Sequence, residues 1–218
     1  MSLGTSKIIK RSRLRPELRE AFLQAPFFTR KVISFNLEDY SNFFSWDNPK
    51  SDIDRAVIQF LNEEGYDYTG KEIEYWFQHQ TSGMQLPPHC DYNYIIRNEA
   101  ANRDSSWIHT VERERVMSPV TIACYLNTDN IEGGELCISD QDWFSIEKPM
   151  NVSAEDIKKY PYEVYKPEAC DVLYFEGSKY YHWINPVLSG DRKSMLINFW
   201  SKDLQNESIM AILASSVK

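Results

Sequence analysis

From Glu72 onward the chain alternates, with Ile73, Tyr75, Phe77 and His79 falling on one side and Glu74, Trp76 and Gln78 on the other. This is the period of an extended strand with two unlike faces. Upstream the period is helical: Ile53, Ala56, Val57, Phe60 and Leu61 recur at helical spacing, Ser51 and Asp54 read as an N-cap with an acidic third position, and Gly65 closes the run. Pro16 to Gln24 reads as a second helix with proline in its first turn. Residues 1–70 are thus expected to form a helical support that packs on a sheet. Downstream, short extended segments are predicted at 89–96, 119–126, 134–139, 162–166, 171–176, 181–187 and 193–200, parted by turn signals such as Asn130 to Gly134 and Ser189-Gly190-Asp191, with a closing helix at 203–214. Eight or so strands without alternating helices predict a single, mainly β domain with flanking helices. A jelly roll or barrel open at one end fits best, with its core over 71–201 and a C-terminal helix over 202–218. Residues 97–117 and 140–160 interrupt the spacing and read as lids or as surface excursions, the second with a short helical signal after Ser153.

Charge and composition narrow the partners. The formal net charge is -8 over 218 residues, yet Lys7, Lys10, Arg11, Arg13, Arg15, Arg19, Arg30 and Lys31 face only Glu17 and Glu20 in residues 1–31, a local +6 that leaves -14 for the rest. A basic chain start reads first as a solvated or frayed face, and the acidic remainder disfavours nucleic acid. Cys90, Cys124, Cys137 and Cys170 show no CxxC spacing, and no apolar leader or membrane-length span is present. The expectation is a soluble protein of a reducing, cytoplasmic compartment; the oligomeric state is left open. Aromatic side chains make up 14% of the chain, many near the candidate chemistry (Tyr92, Tyr94, Tyr180, Tyr181, Trp183), and core filling is their default role.

That chemistry is His89-Cys90-Asp91, answered by His182 and then Arg192. Residues i and i+2 of an extended strand share a face, so His89 and Asp91 can reach one metal ion while Cys90 points away as a packed thiol. A histidine from a distant strand completes the set. Two neutral imidazoles and one carboxylate suit non-haem Fe(II), because three coordination positions stay open for substrate and O2. An isolated His-x-Asp is weak. Of the leftover histidines, His79 reads as a hydrogen-bonded strand residue that could line a pocket, and His109 lies in an insertion.

Order and context add to this reading: Pro87-Pro88-His89-Cys90-Asp91, Tyr125-Leu126-Asn127, Gly133-Gly134-Glu135-Leu136, Asp171-Val172-Leu173-Tyr174-Phe175, His182, Pro186-Val187, Gly190-Asp191-Arg192 and Phe199-Trp200. Over residues 75–200 this series resembles the 2-oxoglutarate and Fe(II)-dependent dioxygenases, in particular the prolyl 4-hydroxylase-like branch; residues 1–70 carry none of it. The resemblance implies a double-stranded β-helix of cupin-like form, with iron held by His89, Asp91 and His182. It also implies that Arg192 pairs with the far carboxylate of 2-oxoglutarate, a task that suits a planar guanidinium fork. Tyr125 would add a hydroxyl contact and Ser194 a second, while Leu136 and Ile184 would be apolar walls. Fe(II), 2-oxoglutarate and O2 would be the cofactor and cosubstrates, with ascorbate in support. Two departures stand out. Relatives often carry a tyrosine where this chain has His79-Gln80, and Cys170-Asp171 replaces a Gly-Asp turn, removing a residue tolerant of positive φ.

The implied activity is hydroxylation of an aliphatic carbon, first of a peptide or protein residue such as proline, with a small-molecule hydroxylase as the nearest competitor. A nucleic-acid dealkylase is disfavoured, because those enzymes resemble one another in a second arginine six residues after the first, where this chain has Asn198. A non-oxidative, zinc-containing jelly-roll binding protein could use the same three ligands, but it would have no need of a carboxylate clamp.

Overall fold

The computed structural model describes residues 7–27, 42–91, 116–117, 120–142 and 153–201. In chain order the elements are β1 (Ile8–Arg13), α1 (Pro16–Leu23), β2 (Asn42–Ser45), α2 (Asp52–Glu63), β3 (Glu72–Gln80), β4 (Leu86–His89), β5 (Val116–Met117), β6 (Thr121–Asn127), β7 (Glu132–Gly133), β8 (Leu136–Asp142), α3 (Ala154–Ile157), β9 (Tyr162–Tyr165), β10 (Asp171–Phe175), β11 (Tyr180–Ile184), β12 (Val187–Ser189) and β13 (Arg192–Ser201). The large sheet runs β1-β10-β6-β13-β3-β2, with β5 beside the end of β13, and the small one runs β4-β11-β8-β9. Every pairing is antiparallel. From β3 the chain passes repeatedly between the sheets, so β10-β6-β13-β3 lies over β4-β11-β8-β9 as a double-stranded β-helix, the jelly-roll form predicted from the strand spacing.

Three apolar clusters follow from the strand parities. Between the sheets pack Ala123, Tyr125, Leu173 and Phe175 from the large sheet and Leu86, Leu136, Ile138 and Ile184 from the small one. The outer face of the large sheet (Ile73, Tyr75, Phe77, Ile122, Cys124, Val172, Met195, Ile197, Phe199) seats α1 and α2 through Leu18, Phe22, Val57, Phe60 and Leu61. Outside the small sheet Cys90, Cys137, Tyr181 and Trp183 meet Ile157 of α3. On β3 the predicted parity is therefore the one observed: Ile73, Tyr75 and Phe77 face the helices, and Glu74, Trp76, Gln78 and Gln80 face inward.

Both helices start as their sequences indicate. α1 has Pro16 in its first turn, and at α2 Ser51 accepts from the Asp54 N–H while the Asp54 carboxylate accepts from the Ser51 N–H. Asp54 also accepts a bond from the Tyr75 hydroxyl at 2.7 Å, tying the cap to the sheet below.

Two expectations need correction. Residues 1–70 are not helical support alone, because β1 and β2 extend the large sheet at its two ends. The basic start is solvated, as expected, but not frayed: Lys10 pairs with Glu64 at 2.8 Å, Arg13 with Asp171 at 2.5 Å and Arg15 with Glu63, while Arg19 Nε donates to the Leu126 carbonyl at 2.6 Å. Two strand boundaries also move. The strand bearing His89 ends at that residue, so Asp91 sits in the following turn, and Asn185-Pro186 divides the predicted 181–187 segment into β11 and β12. The helix expected at 203–214 lies outside the described residues, as do 97–115 of the first insertion and 143–152 of the second; Ser153 does cap the short α3, accepting from the Asp156 N–H at 3.1 Å.

Candidate metal centre and buried cation

β4 and β11 pair so that His89 and His182 stand directly opposite each other, with ring centroids 4.3 Å apart. The turn after β4 folds Asp91 back between them, its N–H donating to the Gly177 carbonyl at 3.1 Å. Asp91 Oδ1 then lies 3.4 Å from His89 Nε2 and 3.3 Å from His182 Nε2. One ligand atom from each residue falls within 4.8 Å of the other two, the only such group among the described residues.

The atoms behind these ligands fix their form. His89 Nδ1 lies 2.9 Å from the Pro87 carbonyl and His182 Nδ1 3.1 Å from the Tyr180 carbonyl. A carbonyl can only accept, so each Nδ1 carries a proton and each Nε2 is the ring atom turned toward the shared point. Thr121 Oγ1 donates to Asp91 Oδ2 at 2.6 Å, leaving Oδ1 as the converging atom. Burial pushes the His89 imidazole toward its neutral form, and the neighbouring His182 adds to this against the pull of Asp91. Burial alone would raise the Asp91 carboxyl, but the two imidazoles outweigh it and hold it far below the ordinary carboxylate range. A neutral imidazole beside an ionised carboxylate is the state a divalent metal requires of its ligands.

Further in, Arg192 opens β13 with its side chain between the sheets, 2% exposed. Nη1 donates to Gln80 Oε1, and to Ser194 Oγ at 3.4 Å, while Nε has no acceptor among the described residues. The guanidinium carbon lies 4.9 Å from the centre of the Tyr125 ring. No carboxylate among the described residues pairs with it. The Tyr125 hydroxyl is likewise buried without a hydrogen-bond partner among the described residues; burial raises its pKa, and the nearby Arg192 charge opposes the rise. Ser194 is buried opposite Tyr125 in register, and Leu136 and Ile184, a cross-strand pair, share the inner cluster with Tyr125.

Strand β6 orders these parts. Its inner face presents Thr121 at the metal-ligand end, Ala123 in the middle and Tyr125 at the guanidinium end, a span of about 13 Å at strand rise. Between the two ends stands the smallest of the three side chains.

Three residues of this arrangement were not singled out from the sequence. Gln80 was noted only as a departure, yet it continues the inward parity of Glu74, Trp76 and Gln78. Thr121 shares a face with Tyr125 at even spacing. Gly177 carries the close approach: a Cβ there would overlap Thr121 Oγ1 and Asp91 Oδ2. His79, by contrast, lies on the opposite face from Gln80, with Nε2 3.2 Å from Asp191, so it does not line the interior. Cys90 packs in the outer cluster, as its parity requires. Tyr92, Tyr94 and His109 lie outside the described residues.

No family model matches the sequence, and no curated protein matches it. Solved structures do. A prolyl-4-hydroxylase from Pseudomonas putida is 13% identical with a TM-score of 0.47, over 89% of this chain and 88% of that one. HygX from Streptomyces hygroscopicus, solved with nickel and 2-oxoglutarate bound, is 12% identical with a TM-score of 0.49, over 86% and 78%. The viral collagen prolyl hydroxylase from Paramecium Bursaria Chlorella virus-1 is 12% identical with a TM-score of 0.42, over 88% and 89%.

Proposed function

We propose that the chain is an oxygenase that uses Fe(II), 2-oxoglutarate and O2 to hydroxylate an aliphatic carbon, with succinate and CO2 as the other products, and that its substrate is a peptidyl residue such as proline. Arg192 carries the reading. An unpaired guanidinium in a protein interior costs several kcal/mol, and a bound anion is the ready compensation. This one lies among a neutral serine, a neutral glutamine and an orphaned tyrosine hydroxyl, the surroundings of a carboxylate subsite rather than of a structural ion pair.

The residues at the other end fit a metal. His89, Asp91 and His182 would hold Fe(II) through two nitrogens and one oxygen. The bound iron supplies the oxygen chemistry that no side chain can perform. The protein's own part is placement. Arg192 would grip the distal carboxylate of 2-oxoglutarate, with Ser194 and Tyr125 supplying hydroxyl contacts, and Ala123 leaves room for the carbon chain between the two ends. Leu136, Ile184 and Phe175 would wall that space against water. The peptidyl substrate rests on the sequence resemblance to the prolyl 4-hydroxylase-like branch.

Anaerobic addition of Fe(II) and then 2-oxoglutarate tests the centre, and a metal-to-ligand charge-transfer band that saturates with both is expected. No band, with Zn(II) bound tightly instead, would favour a non-oxidative binding protein. For the substrate, proline-containing peptides should stimulate 2-oxoglutarate turnover and gain one oxygen by mass spectrometry. Stimulation by free metabolites alone, over a broad peptide panel, would move the assignment to a small-molecule hydroxylase.

A further inference from the structure

On the strand beside it Arg192 meets a neutral amide, not an acid, and that difference governs what the guanidinium can hold. We propose that Gln80 is a positioning residue for the cosubstrate: by occupying Nη1 with a neutral acceptor, it turns the Nε–Nη2 edge of a still charged Arg192 to the distal carboxylate. This role rests on the oxygenase reading above, to which it adds a residue and an edge.

Register makes the contact. Arg192 and Gln80 stand directly opposite each other where β13 pairs with β3, and both face inward, 2% and 5% exposed. Gln80 Oε1 accepts from Nη1, and Ser194 Oγ, two residues along the same face of β13, accepts from the same nitrogen at 3.4 Å. A guanidinium only donates, so the amide atom against Nη1 is the oxygen, and the end left over, Nε2, is itself a donor. Nothing that Gln80 still offers repels an anion. The rest of the side chain is closely bounded as well. A Cβ added at Gly134 would lie 3.5 Å from Arg192 Cδ, and the guanidinium carbon rests 4.9 Å from the centre of the Tyr125 ring.

These contacts select one edge. A guanidinium presents parallel N–H pairs in two places, the Nη1–Nη2 end and the Nε–Nη2 side, and either can grip a planar carboxylate. Gln80 and Ser194 engage Nη1, which closes the first. Nε and Nη2 donate to no described residue, and Nε is buried, so the second is open. The kind of acceptor matters as much as its place. A glutamate at position 80 would make the same bond and also cancel the charge, completing an internal ion pair with no need of a ligand. An aliphatic side chain would leave Nη1 short of an acceptor and the fork free to turn. Glutamine fixes the fork and leaves its positive charge for a bound diacid.

The full chain, loaded with Zn(II) as a redox-inert metal, is titrated by ligand-observed NMR with 2-oxoglutarate and with 2-oxobutyrate, which share the keto-acid end and differ in the distal carboxylate. The parent chain should bind 2-oxoglutarate about tenfold or more tightly, as expected of charge-assisted bonds. Gln80→Glu should abolish that preference while leaving the affinity for 2-oxobutyrate unchanged. Gln80→Met, which keeps the length of the side chain, should reduce the preference about threefold or more. Melting curves establish that each variant is folded, and where one is not, the other decides. A folded variant that keeps the parent's preference overturns the proposal. So does one that weakens both probes alike, because damage to the fold or to the metal end does not distinguish them. A parent chain that binds 2-oxoglutarate no better than 2-oxobutyrate removes the carboxylate clamp itself, and with it both the oxygenase reading and this role; a preference shared by the parent and the variants removes only the part assigned to Gln80.

Discussion

At the scale of single residues the centre depends on positions that bear no ligand atom. Gly177 is the sharpest case, since any side chain there meets the Thr121–Asp91 hydrogen bond. Gly177→Ala should lower metal affinity about 10- to 100-fold, the range for losing an outer partner of a ligand. Fe(II) or Co(II) titration measures it, and Thr121→Ala should fall in the same range because it removes the same bond; unchanged affinity in both would detach Asp91 from the centre. Arg192→Lys keeps the charge but gives up the planar fork and the stacking on Tyr125. The affinity for 2-oxoglutarate should fall about tenfold or more, read from the charge-transfer titration, with a larger change than in metal affinity. The candidate ligands were legible in the sequence because two of them are neighbours in the chain and the third follows in a recognisable order. Gln80, Thr121 and Gly177 were not, because each acts through a partner fixed by cross-strand register or a turn, and no local pattern carries that information. Cys170 is a local exception: it takes φ 72°, a conformation that favours glycine, with its N–H bonded to the Tyr125 carbonyl at 2.7 Å. The turn is kept without the residue that makes it easy.

Among the elements, α2 and β3 were predictable and β1 was not, for a common reason. Where one face of an element is buried and the other is not, hydrophobic positions record the period; α2 lies on the outer sheet face and β3 beneath it, so both record it well. β1 is the edge of the sheet, and in Ile8–Arg13 basic side chains dominate because most of its residues are exposed. Such a strand is held by backbone pairing with β10 and by Leu14, which a sequence pattern does not reveal. The α2 cap makes a pH-dependent prediction. Burial raises the Asp54 carboxyl, but bonds from Tyr75, Ser51 and Lys50 together outweigh it and leave its folded pKa below the usual value. A depressed carboxyl stabilises the fold above its unfolded pKa, about 3.9, and that contribution is lost as pH falls through the lower folded value. Asp54→Asn should therefore cost about 1–2 kcal/mol at neutral pH. The gap from the parent chain should begin to narrow below about pH 4, where the carboxyl of the unfolded chain protonates, and close only below the lower folded value. Denaturant melts at pH 7 and pH 3 measure both; a gap that stays constant would rule out the carboxylate as its source.

For the whole molecule, the chain start has become part of the barrel wall, and several of its basic side chains pair with the chain's own acids. Lys10 and Arg15 reach Glu64 and Glu63 at the end of α2, and Arg13 reaches Asp171 at the start of β10, so β1 clamps the helical layer and the sheet together. Glu64 also accepts from the Tyr174 hydroxyl at 2.8 Å, extending the clamp into β10. Two explanations of this segment's contribution can be separated, charge pairing and strand addition. Exposed ion pairs contribute about 0–1 kcal/mol each, so Lys10→Gln and Arg15→Gln should each move the melting temperature by only about 1–3 °C. Removing residues 1–14 would instead uncover β10, whose five residues are all buried, and take away the buried Leu14. A loss of about 3 kcal/mol or more follows from the apolar area and the unpaired strand edge, a drop of roughly 10 °C for a chain of this size. A bare edge is also a template for pairing with another copy. Size-exclusion chromatography of the shortened chain should therefore show concentration-dependent association that the charge variants lack. If the charge variants matched the truncation in both melting and association, the segment would act through its ion pairs, and β1 would be an incidental edge rather than a wall of the fold.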